Sequence, residues 1–318
     1  MSNQQPSTSS PNDRLQQIVN HFDSRNSSKK LSGKVCILTG IGHELGIGWA
    51  TAVLFAKEDA KHLYLLDLKG DNFPALVKHL KELNPKIGLS TISGDAAEES
   101  VVRSVCQKAI DEQGRLDVFF ANAGVVGAAH IGKTSYETSE RVIRINTMSC
   151  WLALKYASDA MLKAGKGGSI IFTSSAAGLR SGAGSTEYSA SKAAVISLAA
   201  TGANAYPGAA IRVNAVCPGM IQTQMTGPVF QMAKDKSKIG QLCPLRRYAV
   251  PDEVASVVLF LASDDSSCEL KLGLYIVSKA ELVRILIWIS LSIDVTGTAI
   301  PVDGGLASSL PVIPGRQY

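Results

Sequence analysis

From Lys34 onward the chain alternates short aliphatic or β-branched runs with longer amphipathic stretches. Runs of this length suit strands covered on both faces, and their regular exchange with helical periodicity is the pattern of repeated β-α-β units around a parallel sheet. Val35–Leu38, His62–Leu66, Leu89–Ser93, Val118–Ala121, Ser169–Thr173, Ile211–Ala215 and Thr298–Val302 predict strands. The stretches near Gly48–Lys57, Phe73–Leu83, Glu98–Gln113, Glu137–Lys163, Thr186–Ala205 and Asp252–Ala262 predict helices. The expected fold is α/β, a single doubly wound domain whose parallel sheet carries helices on both faces. With 318 residues, 46% of them apolar, the chain can bury one large core and needs no second domain.

Two stretches stand outside this pattern. Residues 1–30 are rich in Ser, Asn and Gln, end in Ser27-Ser28-Lys29-Lys30 and lack the apolar run of a secretory signal. Asp13 and Asp23 also disfavour a mitochondrial transit peptide, so a disordered leader is expected before a domain over 31–318. The second is Cys268–Ile293, aliphatic and placed where a short loop should lead into the last strand. Lys279, Glu281 and Arg284 sit in its middle, and each would cost roughly 2.5–3.5 kcal/mol near a bilayer centre, so no membrane span is expected.

The formal charge of +5 is dispersed along the chain, which gives a nucleic-acid partner no footing. The six cysteines show no Cys-x-x-Cys spacing. That argues against a disulfide framework and a zinc site, and it suits a reducing compartment; a cytoplasmic location without a metal is expected.

Directly after the first strand comes Thr39-Gly40-Ile41-Gly42-His43-Glu44-Leu45-Gly46-Ile47-Gly48, leading into a helix. Glycines let a backbone approach a pyrophosphate closely, and the anion then rests on the unpaired N–H groups of the helix N-terminus. Gly40, Gly42, Gly46 and Ile47 are the candidates for that contact. Asp67 ends the second strand 19 positions after Gly48, where a carboxylate can accept hydrogen bonds from ribose hydroxyls. The same carboxylate would repel a 2′-phosphate, so NAD is expected and NADP is disfavoured. The Gly-x-x-x-x-Gly-Lys-Ser/Thr string of a P-loop is absent.

Tyr188 and Lys192 are four apart and share one helical face. In water a phenol ionises only near pH 10 or about that value, and a cation one turn away stabilises the phenolate. The spacing alone is weak, because Tyr275 and Lys279 form a second copy. Context separates the two. Ser175 lies 13 positions before Tyr188 at the end of a predicted strand, where its hydroxyl can project from the carboxyl edge of the sheet; Tyr275 has Ala262 at that offset.

Over roughly Leu31 to Leu306 these motifs, in this order, resemble the short-chain dehydrogenase/reductase family, whose members have a Rossmann-type fold. The match is carried by the glycine turn, Asp95, Ala121-Asn122-Ala123-Gly124, Asn146, Ser175, Tyr188/Lys192, Pro218-Gly219-Met220-Ile221-Gln222-Thr223 and Val302-Asp303-Gly304-Gly305. The resemblance implies that Asp95 and the backbone of Ala96 contact the adenine and that Asn122 holds the central strand beside the cofactor. It implies that Lys192 also bonds the nicotinamide ribose, that Ile221 and Thr223 grip the carboxamide, and that Asn146 anchors a water linking Lys192 to solvent. It further implies a homodimer or homotetramer.

The chain departs from the family twice. The usual pattern is Thr-Gly-x-x-x-Gly-x-Gly, whereas Gly46 here follows Gly40 by six positions, leaving open whether Gly40 or Gly42 meets the pyrophosphate. Removing Cys268–Ile293 would join Ser267 to Asp294-Val295-Thr296-Gly297 and restore the family's entry to its last strand. The segment therefore reads as an insertion or a translated intron, one that could disturb assembly.

The reaction expected is reversible hydride transfer between the nicotinamide and an alcohol or ketone carbon, with Tyr188 exchanging the proton and Ser175 bonding the substrate oxygen. A methyltransferase would share the glycine turn and the acid but has no use for Ser175, Tyr188 and Lys192. A chain that binds NAD without turnover is the second alternative. Met225, Phe230, Met232, Val125–Ile131 and Leu179–Gly184 are expected around the substrate, and their apolar character suggests a hydrophobic small-molecule alcohol or ketone.

Overall fold

The structure is a computed structural model that describes residues 27–127, 130–180, 183–232, 243–267 and 295–304, with positions 16 and 20. Most of the expected leader, the segment Cys268–Ile293 and the Tyr275/Lys279 pair lie outside the described residues.

Seven parallel strands form one sheet in the order β3-β2-β1-β4-β5-β6-β7. They are β1 (Val35–Thr39), β2 (His62–Asp67), β3 (Gly88–Ser93), β4 (Val118–Ala121), β5 (Gly168–Thr173), β6 (Ile211–Pro218) and β7 (Ala299–Val302). The helices between them are α1 (Ile47–Lys57), α2 (Phe73–Leu83), α3 (Glu99–Gln113), α4 (Tyr136–Ile143), α5 (Ser149–Ala164), α6 (Ala176–Leu179), α7 (Thr186–Gly202), α8 (Gly227–Met232) and α9 (Pro251–Ala262).

Alternation along β1 shows how the strands come to be apolar throughout. Cys36 and Leu38 enter one core with residues of α1, α2 and α9, such as Phe55, Leu76 and Val258. Val35 and Ile37 enter the other with residues of α3, α5 and α7, such as Val105, Ala157 and Val195. A strand buried on both faces has no side to leave polar.

One expected helix is divided. The stretch read as Glu137–Lys163 consists of α4, a π-helical turn over Arg144–Met148 and α5. The wide turn contains neither Gly nor Pro, and apolar periodicity runs through it, so the sequence carries no break signal. Its effect is local: it turns Asn146 fully into the interior.

The residues beside the two anomalous stretches are firmly held. Glu58, itself buried, accepts from the Ser28 N–H (3.0 Å), the Ser28 hydroxyl (3.1 Å) and the Lys30 N–H (3.2 Å), which ties the described end of the leader to the C-cap of α1. At the other stretch, the Arg212 guanidinium on β6 donates to the carbonyls of Leu261 (2.8 Å) and Ser263 (3.3 Å) at the end of α9 and to the Ser266 hydroxyl (2.6 Å). A cation is well placed among the free carbonyls of a helix C-terminus. The chain resumes with the Val295 N–H donating to Ser266 O at 3.0 Å, so the segment leaves and returns at one point. Among the described residues no helix is long and apolar enough to cross a membrane.

Candidate active site

Chain order reverses between β1 and β4, and in open parallel sheets ligands bind at such a switch point, beyond the carboxyl ends of the strands. A cavity of about 560 Å³ lies there. Its walls include Gly40, Gly42, Gly46, Ile47, Asp67, Asn122, Ser175, Tyr188, Lys192, Ile221 and Thr223, which brings together eleven of the residues singled out in the sequence.

The turn after β1 is glycine-rich because it has no room. Gly40 has a φ of 69°, and a Cβ there would lie 2.7 Å from Ala123 Cα. At Gly48, in the first turn of α1, a Cβ would lie 2.3 Å from Gly40 O, so this glycine lets the helix close onto the turn. Gly46 caps α1 with no side-chain hydrogen bond. The first amides of the helix keep their donors for a ligand.

Thr39 and Asn122 join the central strands beneath this turn. Thr39 Oγ1 accepts from the N–H groups of Asn122 and Ala123, both at 3.0 Å. Asn122 Nδ2 donates to Gly40 O at 2.9 Å, and its Oδ1 accepts from the Thr173 hydroxyl at 3.0 Å. The network runs from β1 through β4 to β5.

The two glycines left open by the sequence occupy different places. Gly40 packs on Asn122 and Ala123, whereas Gly42 lies against Asp67, whose Oδ2 accepts the Gly42 N–H at 2.8 Å. Asp67 Oδ1 accepts the Lys69 N–H at 3.2 Å. The carbonyl of Gly42 in turn accepts from Asn72 Nδ2 at 2.6 Å. Lys69 and Asn72 both line the cavity. Sequence reasoning did not find them, because no motif links a loop glycine to an asparagine 30 positions away.

At the opposite end, α7 carries Tyr188 and Lys192. Lys192 is buried, donates from Nζ to Thr173 O at 2.8 Å, and stands 5.7 Å from the centre of the Tyr188 ring. Ser175 caps the single turn of α6, its hydroxyl oxygen accepting the Ala177 N–H at 3.1 Å. A positioned hydroxyl, a phenol and a buried ammonium on one cavity wall can bind an oxygen and exchange its proton. Cys217 on β6 is no rival nucleophile. Burial pushes its thiol up to about 11, against the smaller lowering influence of Ser174, the Ser175 backbone and Lys192.

Three expected site residues lie off the cavity wall. Asp95 accepts the Ala97 N–H at 2.8 Å and pairs with Arg144 Nη2 at 2.7 Å. Partial burial opposes its ionisation, but these two bonds outweigh that and hold the carboxyl below the usual aspartate value. Ala96 is buried beside it. Asn146 accepts the Val125 N–H at 2.8 Å and donates to Val125 O at 2.9 Å and Ser191 Oγ at 3.0 Å. Its side chain thus ties the loop after β4 to α7.

Of the residues expected around the substrate, Met225 lines the cavity. Phe230 is buried edge-on against Tyr248 at 4.9 Å, and Met232 is 76% exposed. Residues 128–129 and 181–182 of the two flanking loops lie outside the described residues.

A family model described as enoyl-(acyl carrier protein) reductase matches residues 40–269. The chain is 37% identical to a 3-oxoacyl-[acyl-carrier-protein] reductase of Thermotoga maritima over 75% of its own length and 94% of that protein's. It is 30% identical to a meso-2,3-butanediol dehydrogenase of Serratia marcescens over 88% of its length and 97% of that protein's. A crystal structure of levodione reductase superposes with a TM-score of 0.74 at 28% identity, covering 88% of this chain and all of that one (100%).

Proposed function

This chain belongs to the short-chain dehydrogenase/reductase family, and from that premise we propose that it transfers hydride reversibly between NAD and an alcohol or ketone carbon of an apolar small molecule, with Tyr188 moving the proton. NAD(P)-dependent oxidoreduction of CH–OH and C=O groups is the activity of the family. The observation that carries the finer reading is the single cavity that has Asp67 and the glycine turn at one end and Ser175, Tyr188 and Lys192 at the other.

The wall suits a dinucleotide in its chemistry. An acceptor carboxylate would take ribose hydroxyls, the uncapped amides of α1 would take the pyrophosphate, and Ile221 and Thr223, which line the same cavity, would hold the carboxamide. Gly40, Gly42, Gly46 and Ile47 form the floor, Asn122 braces it, and Asp95 with Ala96 would border the adenine. The nicotinamide, when bound, supplies or accepts the hydride.

The protein's own residues place and protonate the substrate oxygen. Ser175 Oγ is held by the Ala177 N–H, so its hydroxyl can donate to that oxygen and stabilise developing negative charge. Tyr188 gives or takes the proton. Lys192, fixed by Thr173 O, stabilises the phenolate, and Asn146 acts at one remove by fixing the loop before Val125 and the helix of Tyr188. Asp67 favours NAD, because a 2′-phosphate would meet a fixed carboxylate.

The substrate is a small molecule and no nucleic-acid partner is expected; the location is cytoplasmic, and the active form is a homodimer or homotetramer. A reading as an NAD-binding protein without turnover is disfavoured, because the Ser266–Val295 hydrogen bond leaves β7 paired with β6 in spite of the intervening segment. Purified protein offered NADH and a panel of ketones tests the proposal. NADH oxidation that disappears in Tyr188→Phe, with NADH fluorescence still reporting binding, supports it; NADH bound without turnover of any ketone or alcohol overturns it.

A further inference from the structure

We propose that Asn72 is a positioning residue for the dinucleotide: it seats the lengthened glycine turn on Asp67 and thereby sets both affinity and the discrimination between NAD and NADP. The inference rests on the cofactor reading of the cavity. It begins with the two residues by which the turn exceeds the family's spacing. Within that turn Gly42 meets the end of β2, where it is fastened on both sides. The N–H donates to Asp67 Oδ2 at 2.8 Å, and the carbonyl accepts from Asn72 Nδ2 at 2.6 Å. The fit is close enough that a Cβ on Gly42 would stand 2.7 Å from Asp67 Cγ.

Asn72 reaches the turn by leaving its ordinary work. It is the N-cap residue of α2, a position at which asparagine normally bonds a backbone amide of its own helix. Here it makes no side-chain capping bond and has helical rather than extended backbone angles (φ −94°, ψ −1°). Its amide is turned to another segment, and both it and Gly42 line the cavity.

Two consequences follow for the cofactor. With Gly42 on one carboxylate oxygen and the Lys69 N–H on the other, Asp67 is held in one orientation before a ribose arrives, and pre-organisation of this kind improves affinity without a new contact. If Asp67 is replaced by serine, the Gly42 N–H loses its acceptor while Asn72 still holds it in place beside Lys69. That amide then becomes a donor for a 2′-phosphate. Asn72 therefore serves NAD in the native protein and NADP in the Asp67→Ser variant.

Dissociation constants for NADH and NADPH, measured by cofactor fluorescence alongside thermal unfolding, test this. Loss of one hydrogen bond that positions a ligand group predicts NADH binding weakened about five- to tenfold in Asn72→Ala. Asn72→Asp keeps the shape and the capping capacity but lacks the donor, so it should lose at least as much affinity while its unfolding temperature is held. Asp67→Ser should bind NADPH more tightly than the native protein does, and Asp67→Ser/Asn72→Ala should lose that gain. NADH affinity equal to the native value in both single Asn72 variants would overturn the proposal, as would a double variant that keeps the whole gain. A fall in unfolding temperature in Asn72→Ala that Asn72→Asp does not share, with NADH affinity unchanged in both, would assign Asn72 to the helix alone. Native protein that binds neither cofactor would instead sink the cofactor reading itself.

Discussion

The two ends of the cavity are held by different kinds of structure. Ser175, Tyr188 and Lys192 stand at the end of a central strand and on a helix of 17 residues, and the buried Lys192 is anchored to the main chain of β5. Asp67, Gly42 and Asn72 come from three segments, the end of β2, the turn after β1 and the N-cap of α2, and are joined by two hydrogen bonds between exposed or half-buried groups. The rigid end suits chemistry, where small displacements are costly in rate. The jointed end suits recognition, where a change in one side chain can retune the cofactor without disturbing the reacting atoms.

If the contrast holds, Tyr188→Phe should lower the rate by at least about a hundredfold while leaving NADH affinity within a factor of about two, since only a positioned acid–base group is lost. Steady-state kinetics set against NADH fluorescence separate the two. Comparable losses in both would show that the ends are not independent.

Asp67→Ser acts at the other end and should do the reverse. A weakening of NADH by about tenfold is expected from a lost charge-assisted pair of hydrogen bonds, with kcat changed far less than KM. The NAD-to-NADP preference should narrow. Native protein that used NADP more efficiently would remove Asp67 as the discriminating residue.

A smaller effect lies off the cavity wall, at Asp95, and shows in the dependence of stability on pH. Because the Asp95 carboxyl is held below the usual aspartate value, its bonds to Ala97 and Arg144 contribute stability that is complete above the unfolded value of about 3.8 and is lost as pH falls through the lower folded value. The partners are part-exposed, so the contribution is no more than about 1 kcal/mol. Thermal unfolding between neutral pH and pH 3 should show native protein losing an advantage over Asp95→Asn. An advantage that persisted unchanged to the lowest pH would rule this out.

The smallest change is expected from the largest alteration. Deleting Cys268–Ile293 joins Ser267 to Asp294 and turns the existing Val295 N–H to Ser266 O bond, 3.0 Å long, into the i to i+3 bond of a β-turn. Arg212 holds one flank, and the β6 backbone with Asn214 holds the other. Affinity and rate should be equal or higher and soluble yield greater. A deletion variant that no longer folds would make the segment a native part of the domain.

What could be read without coordinates follows from locality. The seven apolar runs, the glycines of the turn after β1, and the four-residue step from Tyr188 to Lys192 each express a constraint carried by neighbouring residues. Asn72 was missed for the opposite reason. It looks like a helix cap, and nothing near it in the sequence says that Gly42 is within reach. The π turn at Arg144–Met148 was missed because apolar spacing is blind to one extra residue in a single turn. Asn146 was singled out from the resemblance, and its side-chain bonds to Val125 and Ser191 are visible only in the folded chain.

The sequence by itself determined the sheet, its covering of helices on two faces and the residue types at the carboxyl edge, because strand and helix periods and the need for bare backbone near a phosphate act over a few residues. Only the tertiary structure decided which glycine meets Asp67, that Asn72 fastens it, that Thr39 and Thr173 brace Asn122, and that Ser266 and Val295 meet across 28 intervening residues. Those are contacts between distant segments. Each is made by hydrogen bonds whose partners become neighbours only once burial of the two cores has drawn the strands together, and no local propensity records them.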